Sequence, residues 1–292
     1  MIVVVLLTGL WAIGFVYLIV LLRTAQRRGE LRPDMESAGL GFVANFFDTL
    51  GIGSFAPSTA WIRVRRMVPD SFLPAVLNTG HALPTVAEAL IFINLVRVSP
   101  WLLAGCIVAA AGGAILGAPV VVRLPVRVVQ GVVGVALVIA AGLYAMANLG
   151  LMPAGGAALA LPAPLFLEAV AGFFVLGALM TAGIGLYGPA LVMLSLMGLD
   201  PKAAFPCMMG ACAFLMPLSG IGFLRSRRID LRVVLGMALG GVPAVLLAAF
   251  VVKSLPLAAI RWGVVAVALY AAAILLRSAV RSAPAAVARE PI

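Results

Sequence analysis

Residues 49–57 read TLGIGSFAP and residues 181–189 read TAGIGLYGP, 132 positions further along the chain. At that offset Thr49, Gly51, Ile52, Gly53 and Pro57 meet Thr181, Gly183, Ile184, Gly185 and Pro189. Both copies set helix-breaking residues inside strongly apolar sequence. Matched Gly/Pro interruptions in two halves of a hydrophobic chain point to a transporter site built from discontinuous helices.

The surrounding sequence is that of a membrane protein. Of 292 residues, 64% are hydrophobic and only 10% are charged, against about 45–50% apolar and about 25% charged in soluble domains. The apolar runs are continuous, which selects helices over the alternating strands of a barrel. They fall near 2–22, 38–62, 71–96, 100–121, 125–148, 164–197, 202–224, 231–252 and 257–277. Most have the roughly 20 residues that a crossing needs. The first run has no basic leader or cleavage site and reads as a retained helix. The net charge of +10 does not imply nucleic acid, because the basic residues sit between apolar runs, where they anchor the cytoplasmic face. Cys106, Cys207 and Cys212 lie within apolar runs without metal-like spacing, so they read as core residues.

The duplication extends beyond the breaks. Glu36 meets Glu168 and Pro74 meets Pro206 at the same offset; Gly105 meets Gly236 and Pro125 meets Pro256 at one residue less. The organisation expected is a leading helix and basic loop (1–35), repeat one (36–148), a linker (149–167), repeat two (168–280) and a cytoplasmic tail (281–292). If each broken segment enters and returns as a hairpin, 16 of the 20 basic residues share one side. These are the groups Arg23 to Arg32, Arg63 to Arg66, Arg123 with Arg127, Arg225 to Arg232 and Arg277 to Arg289, leaving Arg97, Lys202, Lys253 and Arg261 opposite. Single crossings would reduce the split to 12 against 8. The positive-inside rule therefore favours hairpins. A hairpin plus three crossings is an odd unit, so the second repeat is expected to be inverted. The fold class expected is an all-α polytopic membrane protein, amino terminus outside and carboxyl terminus cytoplasmic.

Two half-helices starting just after the breaks would present free N–H groups and positive dipole ends to an anion. The candidate substrate-binding residues are Gly51, Gly53, Ser54, Gly183, Gly185, Tyr187 and Gly188, with Pro57 and Pro189 as hinge residues of the breaks. Asn78, His81, Thr85 and Glu88 follow a 3-4-3 spacing and share one helical face. On one reading this stripe lines a permeation path, with Asn78 and His81 near the anion and His81 or Glu88 carrying a proton. On the other it is a hydrogen-bonded seam between helices. Repeat two has Gly210, Ala213, Pro217 and Gly220 at the matching positions, so the stripe belongs to one half. Asp48 either caps a half-helix or titrates. Glu36 and Glu168 read as solvated or capping residues. Ser54 with His81 lacks a nucleophile motif, no metal-ligand spacing occurs, and no Gly-Lys-Ser/Thr phosphate loop is found. No enzyme activity, metal or cofactor is expected.

At these motifs the chain resembles the TauE/SafE family of membrane permeases, exporters of sulfite and organosulfonates. The resemblance rests on Gly51, Gly53 and Pro57, on Gly183, Gly185 and Pro189, and on the downstream segments Pro74–His81 and Pro206–Cys212. It covers nearly everything after residue 36. The chain departs from the family's three successive glycines and from its Gly-Thr-Ser, having Asn78-Thr79-Gly80 and Gly210-Ala211-Cys212. The resemblance implies a bacterial inner-membrane exporter of a small sulfur-containing anion such as sulfite or sulfoacetate, working by alternating access between the repeats. Its partners would be the anion, the lipid bilayer and a second copy in a homodimer, with no nucleic acid. An anion channel and a non-transporting scaffold are the other readings.

Overall fold

The computed structural model describes residues 1–51, 53–117, 126–149, 151, 156–181, 183–225, 228–254 and 257–281. Arg123, Pro125, Arg227, Pro256, Arg289, the tail beyond 281 and part of the linker lie outside the described residues. Every regular element among the described residues is helical. They are α1 (Ile2–Arg28), α2 (Met35–Thr49), α3 (Phe55–Arg65), α4 (Leu73–Gly80), α5 (Ala82–Leu95), α6 (Pro100–Gly112), α7 (Val126–Asn148), α8 (Ala163–Thr181), α9 (Tyr187–Leu196), α10 (Pro201–Arg225), α11 (Leu231–Ser254) and α12 (Leu257–Arg281). A 3₁₀ turn precedes α4, and a π turn (Gly113–Gly117) extends α6. Five helical stretches are long and apolar enough to cross a membrane: Ile2–Arg28, Leu73–Leu95, Ala163–Thr181, Pro201–Arg225 and Leu231–Val251. Outward-facing Trp11, Phe15, Leu167 and Phe250 suit lipid contact.

Local chemistry sets the helix ends. The Asp34 carboxylate accepts from the Ser37 N–H at 2.8 Å and caps α2. Gly29, at φ 70°, ends α1 in a left-handed cap. The third apolar run does not form one straight helix. Pro84 has no N–H for the Gly80 carbonyl, and the chain divides at His81 into α4 and α5. Helix α8 starts at Ala163, ahead of the expected repeat boundary, with Pro164 in its first turn where a missing N–H costs nothing.

Each broken segment folds back on itself. At the open end of α2–α3, Arg65 Nε donates to Glu36 Oε1 at 2.6 Å, and Trp61 Nε1 donates to the same oxygen at 3.2 Å. The hydrogen bond from Arg65 holds the Glu36 carboxyl below the usual glutamate range. Glu36 is thus a strut between the two arms, while Glu168 is exposed. At the open end of α8–α9, the Asp200 N–H donates to Ala158 O at 2.8 Å and the Ala158 N–H to Gly198 O at 3.3 Å.

The first hairpin's open end joins a cluster of chain ends. The Asp34 N–H donates to Arg232 O at 3.0 Å, the Leu231 N–H to Glu30 Oε2 at 2.9 Å, and Arg28 Nη2 to Leu224 O at 2.9 Å. The second hairpin's open end lies beside the start of α6, where the Ser99 N–H donates to Leu159 O at 2.8 Å.

The packing is reciprocal. Helix α2 lies against α11, and α8 lies against α6 and its π turn. Glycines allow both approaches: Gly41 faces the Met237 carbonyl, and Gly177 faces the Ala110 carbonyl. Gly236 sits on Asp34, Ser37 and Ala38, while Gly105 sits on Phe166 and Val170. Asp34 and Ala38 are the counterparts of Phe166 and Val170 at the repeat offset. Helix α10 packs on α4, α5 and α6 at the centre, and α7 pairs with α12 at the side.

Candidate functional site

The two breaks meet. A Cβ added at Gly53 would stand 3.8 Å from Tyr187 Cβ, and one added at Gly185 would stand 3.6 Å from Phe55 Cβ. Positions 53 and 55 correspond to 185 and 187, so the contact is made twice in the same way. Gly51, Gly53 and Gly183 turn the chain at φ 90°, 90° and 88°, a region that only glycine enters without strain. Gly185 does not. Pro57 and Pro189 sit in the first turns of α3 and α9, after the breaks. There they start the second arms, because first-turn positions need no N–H; the glycines do the turning. Gly188 also lies in the first turn of α9 and is buried.

A small pocket lies between the breaks, lined by Asp48, Gly53, Ser54, Phe55, Thr85, Met180, Gly185, Leu186, Tyr187 and Met216. Its free centre has room for about one water molecule. Ser54 and Leu186 precede the first turns of α3 and α9, and neither supplies a side-chain cap. Ser54 shares the pocket lining with Asp48, which stands in the last turn of α2 on the other side of the break. Asp48 is buried. An acidic group of the chain itself therefore sits at one of the two helix starts.

Glu88 lies beside this pocket, is fully buried and joins the two breaks. Its Oε2 accepts from Tyr187 OH at 2.6 Å, and its Oε1 lies 2.8 Å from Thr49 Oγ1. The Thr49 hydroxyl is also 2.8 Å from Asn45 O. His81 sits at the α4–α5 kink with Nδ1 3.0 Å from Asn45 Oδ1 and Nε2 2.9 Å from Ser58 Oγ. The Asn45 amide is oriented by its Nδ2, which donates to Gly41 O at 2.6 Å. Asn45 Oδ1 is therefore an acceptor, His81 carries its hydrogen on Nδ1, and Ser58 donates to Nε2. Ser58, His81 and Asn45 imitate a nucleophile relay, but all three are fully buried and none lines the pocket. Their bonds knit α2, α3 and the kink together.

Asn78 reaches the other half. Its Nδ2 donates to Pro74 O at 2.9 Å and to Met180 O at 3.4 Å, while its Oδ1 has no partner among the described residues. Thr85 Oγ1 donates back to His81 O at 2.9 Å. All four stripe residues are thus buried, and they diverge in use: Thr85 lines the pocket, Glu88 bridges the breaks, His81 braces the first half and Asn78 touches α8. Among the described residues no three His, Cys, Asp or Glu side chains group as a metal site. Cys212 contacts the Met180 sulfur at 3.5 Å, and all three cysteines are buried.

The residues to which sequence reasoning gave no site role are Asn45, Thr49, Ser58 and Tyr17. Gly41, Asn45 and Thr49 recur every four residues along α2, a small/polar stripe that should face protein in a membrane helix. Ser58 follows Ser54 by the same step. Tyr17, whose hydroxyl donates to Thr79 O at 2.7 Å, has no such pattern around it. Compared with known proteins, the chain matches no family model, no curated protein and no solved structure.

Proposed function

We propose that the chain is a secondary transporter that exports a small anion across a bacterial inner membrane. The observation that carries this reading is the meeting of two helix starts, α3 and α9, at one pocket, each reached through a glycine break. Free N–H groups and dipole ends suit anionic groups there. Irregular backbone at membrane depth is tolerated where it lines such a cavity.

In this reading the halves are inverted repeats. The supporting geometry is that the hairpins open at opposite ends. The first opens beside Arg28 and Arg232 and the second beside Ser99; the crossing Leu73–Leu95 separates these ends. The reciprocal packing of α2 on α11 and α8 on α6 has the self-complementary form of a two-fold relation. The arginine-rich end is cytoplasmic, with the amino terminus outside. In an Arg65→Cys or Arg228→Cys protein, a membrane-impermeant thiol reagent should label only from the cytoplasmic side. Labelling of position 65 from outside would refute the hairpin.

The free centre of the pocket holds about one water molecule, too little room for sulfite or a sulfonate. Anion entry requires opening between the halves and movement of the Asp48 carboxyl, which lines the pocket. The choice of sulfite, sulfoacetate or a related organosulfonate comes from the resemblance of the two break motifs to TauE/SafE permeases. An anion leaving a negative interior gains about 2.3 kcal/mol per charge per 100 mV, enough to drive export. The test is flux into vesicles containing the purified protein, with sulfite, sulfoacetate and taurine as substrates. Saturable uptake of at least one anion is expected. Non-saturating current would make the protein a channel, and absence of flux a scaffold.

A further inference from the structure

Glu88 is the only stripe residue whose side chain touches both breaks. Thr49 stands just before the first break and Tyr187 just after the second, and their hydroxyls meet the two oxygens of one carboxyl at 2.8 and 2.6 Å. Thr49 and Glu88 belong to the first half, so the Tyr187 bond is the one of the two that crosses to the second.

The hydrogens around Glu88 can be counted. Tyr187 has one hydroxyl hydrogen, given to Oε2. Thr49 has one, and two acceptors within reach, Glu88 Oε1 and Asn45 O. With Glu88 ionised, Thr49 donates to Oε1. With Glu88 neutral, its own hydrogen on Oε1 points to Thr49 Oγ1, and Thr49 donates to Asn45 O. Both forms satisfy every hydroxyl and both carboxyl oxygens, and they differ by one proton and one hydroxyl rotation. His81 spends both ring nitrogens within the first half, on Asn45 Oδ1 and Ser58 Oγ, and touches no residue of the second break by hydrogen bond.

We propose that Glu88 carries the proton of the transport cycle, with the Thr49 hydroxyl turning to match each state and the Tyr187 bond tying the second half to it. This rests on the transporter reading above. A proton joining Oε1 turns the Thr49 hydrogen from Oε1 to Asn45 O, and a proton leaving reverses that switch, while the Tyr187 bond to Oε2 is kept.

The titratable groups facing this region can be named element by element. They are Asp48 from α2, His81 from the kink, Tyr187 from α9 and Cys212 from α10. Helix α1 brings Tyr17, whose hydroxyl is spent on Thr79 O. Helix α11 has no titratable residue between Arg232 and Lys253. No arginine or lysine occurs in α2, α5 or α9. Two ionised carboxyls, Asp48 and Glu88, would share an apolar interior with no cation, which is a costly state. A proton on Glu88 relieves it when an anion arrives.

Glu88→Gln is the isostere of the neutral form: its amide N–H can donate to Thr49 and its oxygen can accept from Tyr187, so the fold is kept. In vesicles loaded with sulfite or sulfoacetate, wild-type flux should respond to an imposed pH gradient, whereas Glu88→Gln should lose that response and about tenfold or more of its net flux. Infrared spectra of the purified protein should show a neutral-carboxyl stretch that titrates with pH, vanishes in Glu88→Gln and shifts in Tyr187→Phe. A pH-gradient response in Glu88→Gln equal to wild type overturns the proposal. So does a neutral-carboxyl band that Glu88→Gln leaves unchanged. If no anion moves in either protein the transporter reading falls, and the infrared result still decides whether Glu88 holds a titrating proton.

Discussion

Gly41→Ala should cost about 3 kcal/mol or more of stability, while Gly39→Ala, two residues away on the same helix, should cost nothing. A Cβ at Gly41 would fall on the Met237 carbonyl, whereas one at Gly39 meets nothing within 4 Å. The obstacle at Gly41 is backbone of a neighbouring helix, which cannot rotate aside as a side chain can. Helices α2 and α11 would have to separate along their contact. At Gly39 the only change is intrinsic, and alanine favours a helix interior over glycine by about 1 kcal/mol. Gly177→Ala should repeat the loss, since its Cβ would fall on the Ala110 carbonyl of α6. Thermal melting of the detergent-solubilised protein measures all three. Equal melting of Gly41→Ala and Gly39→Ala would show that α2 and α11 do not cross so closely.

The second large effect separates the two breaks. Gly53→Val should abolish anion flux in vesicles while the protein still folds, and Gly185→Ala should keep most of it. Gly53 holds φ 90°, where left-handed backbone costs an L-residue roughly 1–2 kcal/mol and a β-branched one more. The chain at 51–54 would relax towards ordinary helix, moving Ser54 and the start of α3 away from the pocket. Gly185 is under no such demand, and an added methyl would meet Phe55 Cβ at an ordinary 3.6 Å. The motif GIG is the same in both copies, yet its second glycine is required for conformation only in the first. Equal loss of flux in Gly185→Ala and Gly53→Val would place that requirement on space at both sites.

Much of this was legible in the residues. The breaks at Gly51–Ser54 and Gly183–Leu186 are where the repeated motif put them, because glycine and proline act through local backbone geometry. The burial of Asn78, His81, Thr85 and Glu88 followed from polar groups on one face of an apolar helix. The use of each group was not legible. His81 spends both ring nitrogens on Asn45 and Ser58, which are 36 and 23 positions away in sequence. Glu88 finds Tyr187 at a separation of 99. Nothing local in the chain announces those partners. Asp48 could be read as a cap or a titrating group, but that it lines one pocket with Ser54 and Tyr187 depended on the two hairpins turning back on each other.

By itself the sequence determined a helical membrane protein, two matched breaks and a polar stripe confined to one half, since apolar length, glycine conformation and helical period are properties of neighbouring residues. Only the tertiary structure decided that the breaks touch and that α2 and α8 each lie on a helix of the other half. It also decided that one carboxyl spans the junction. These are contacts between segments far apart in the chain, set by how helices with glycine-smoothed faces approach one another.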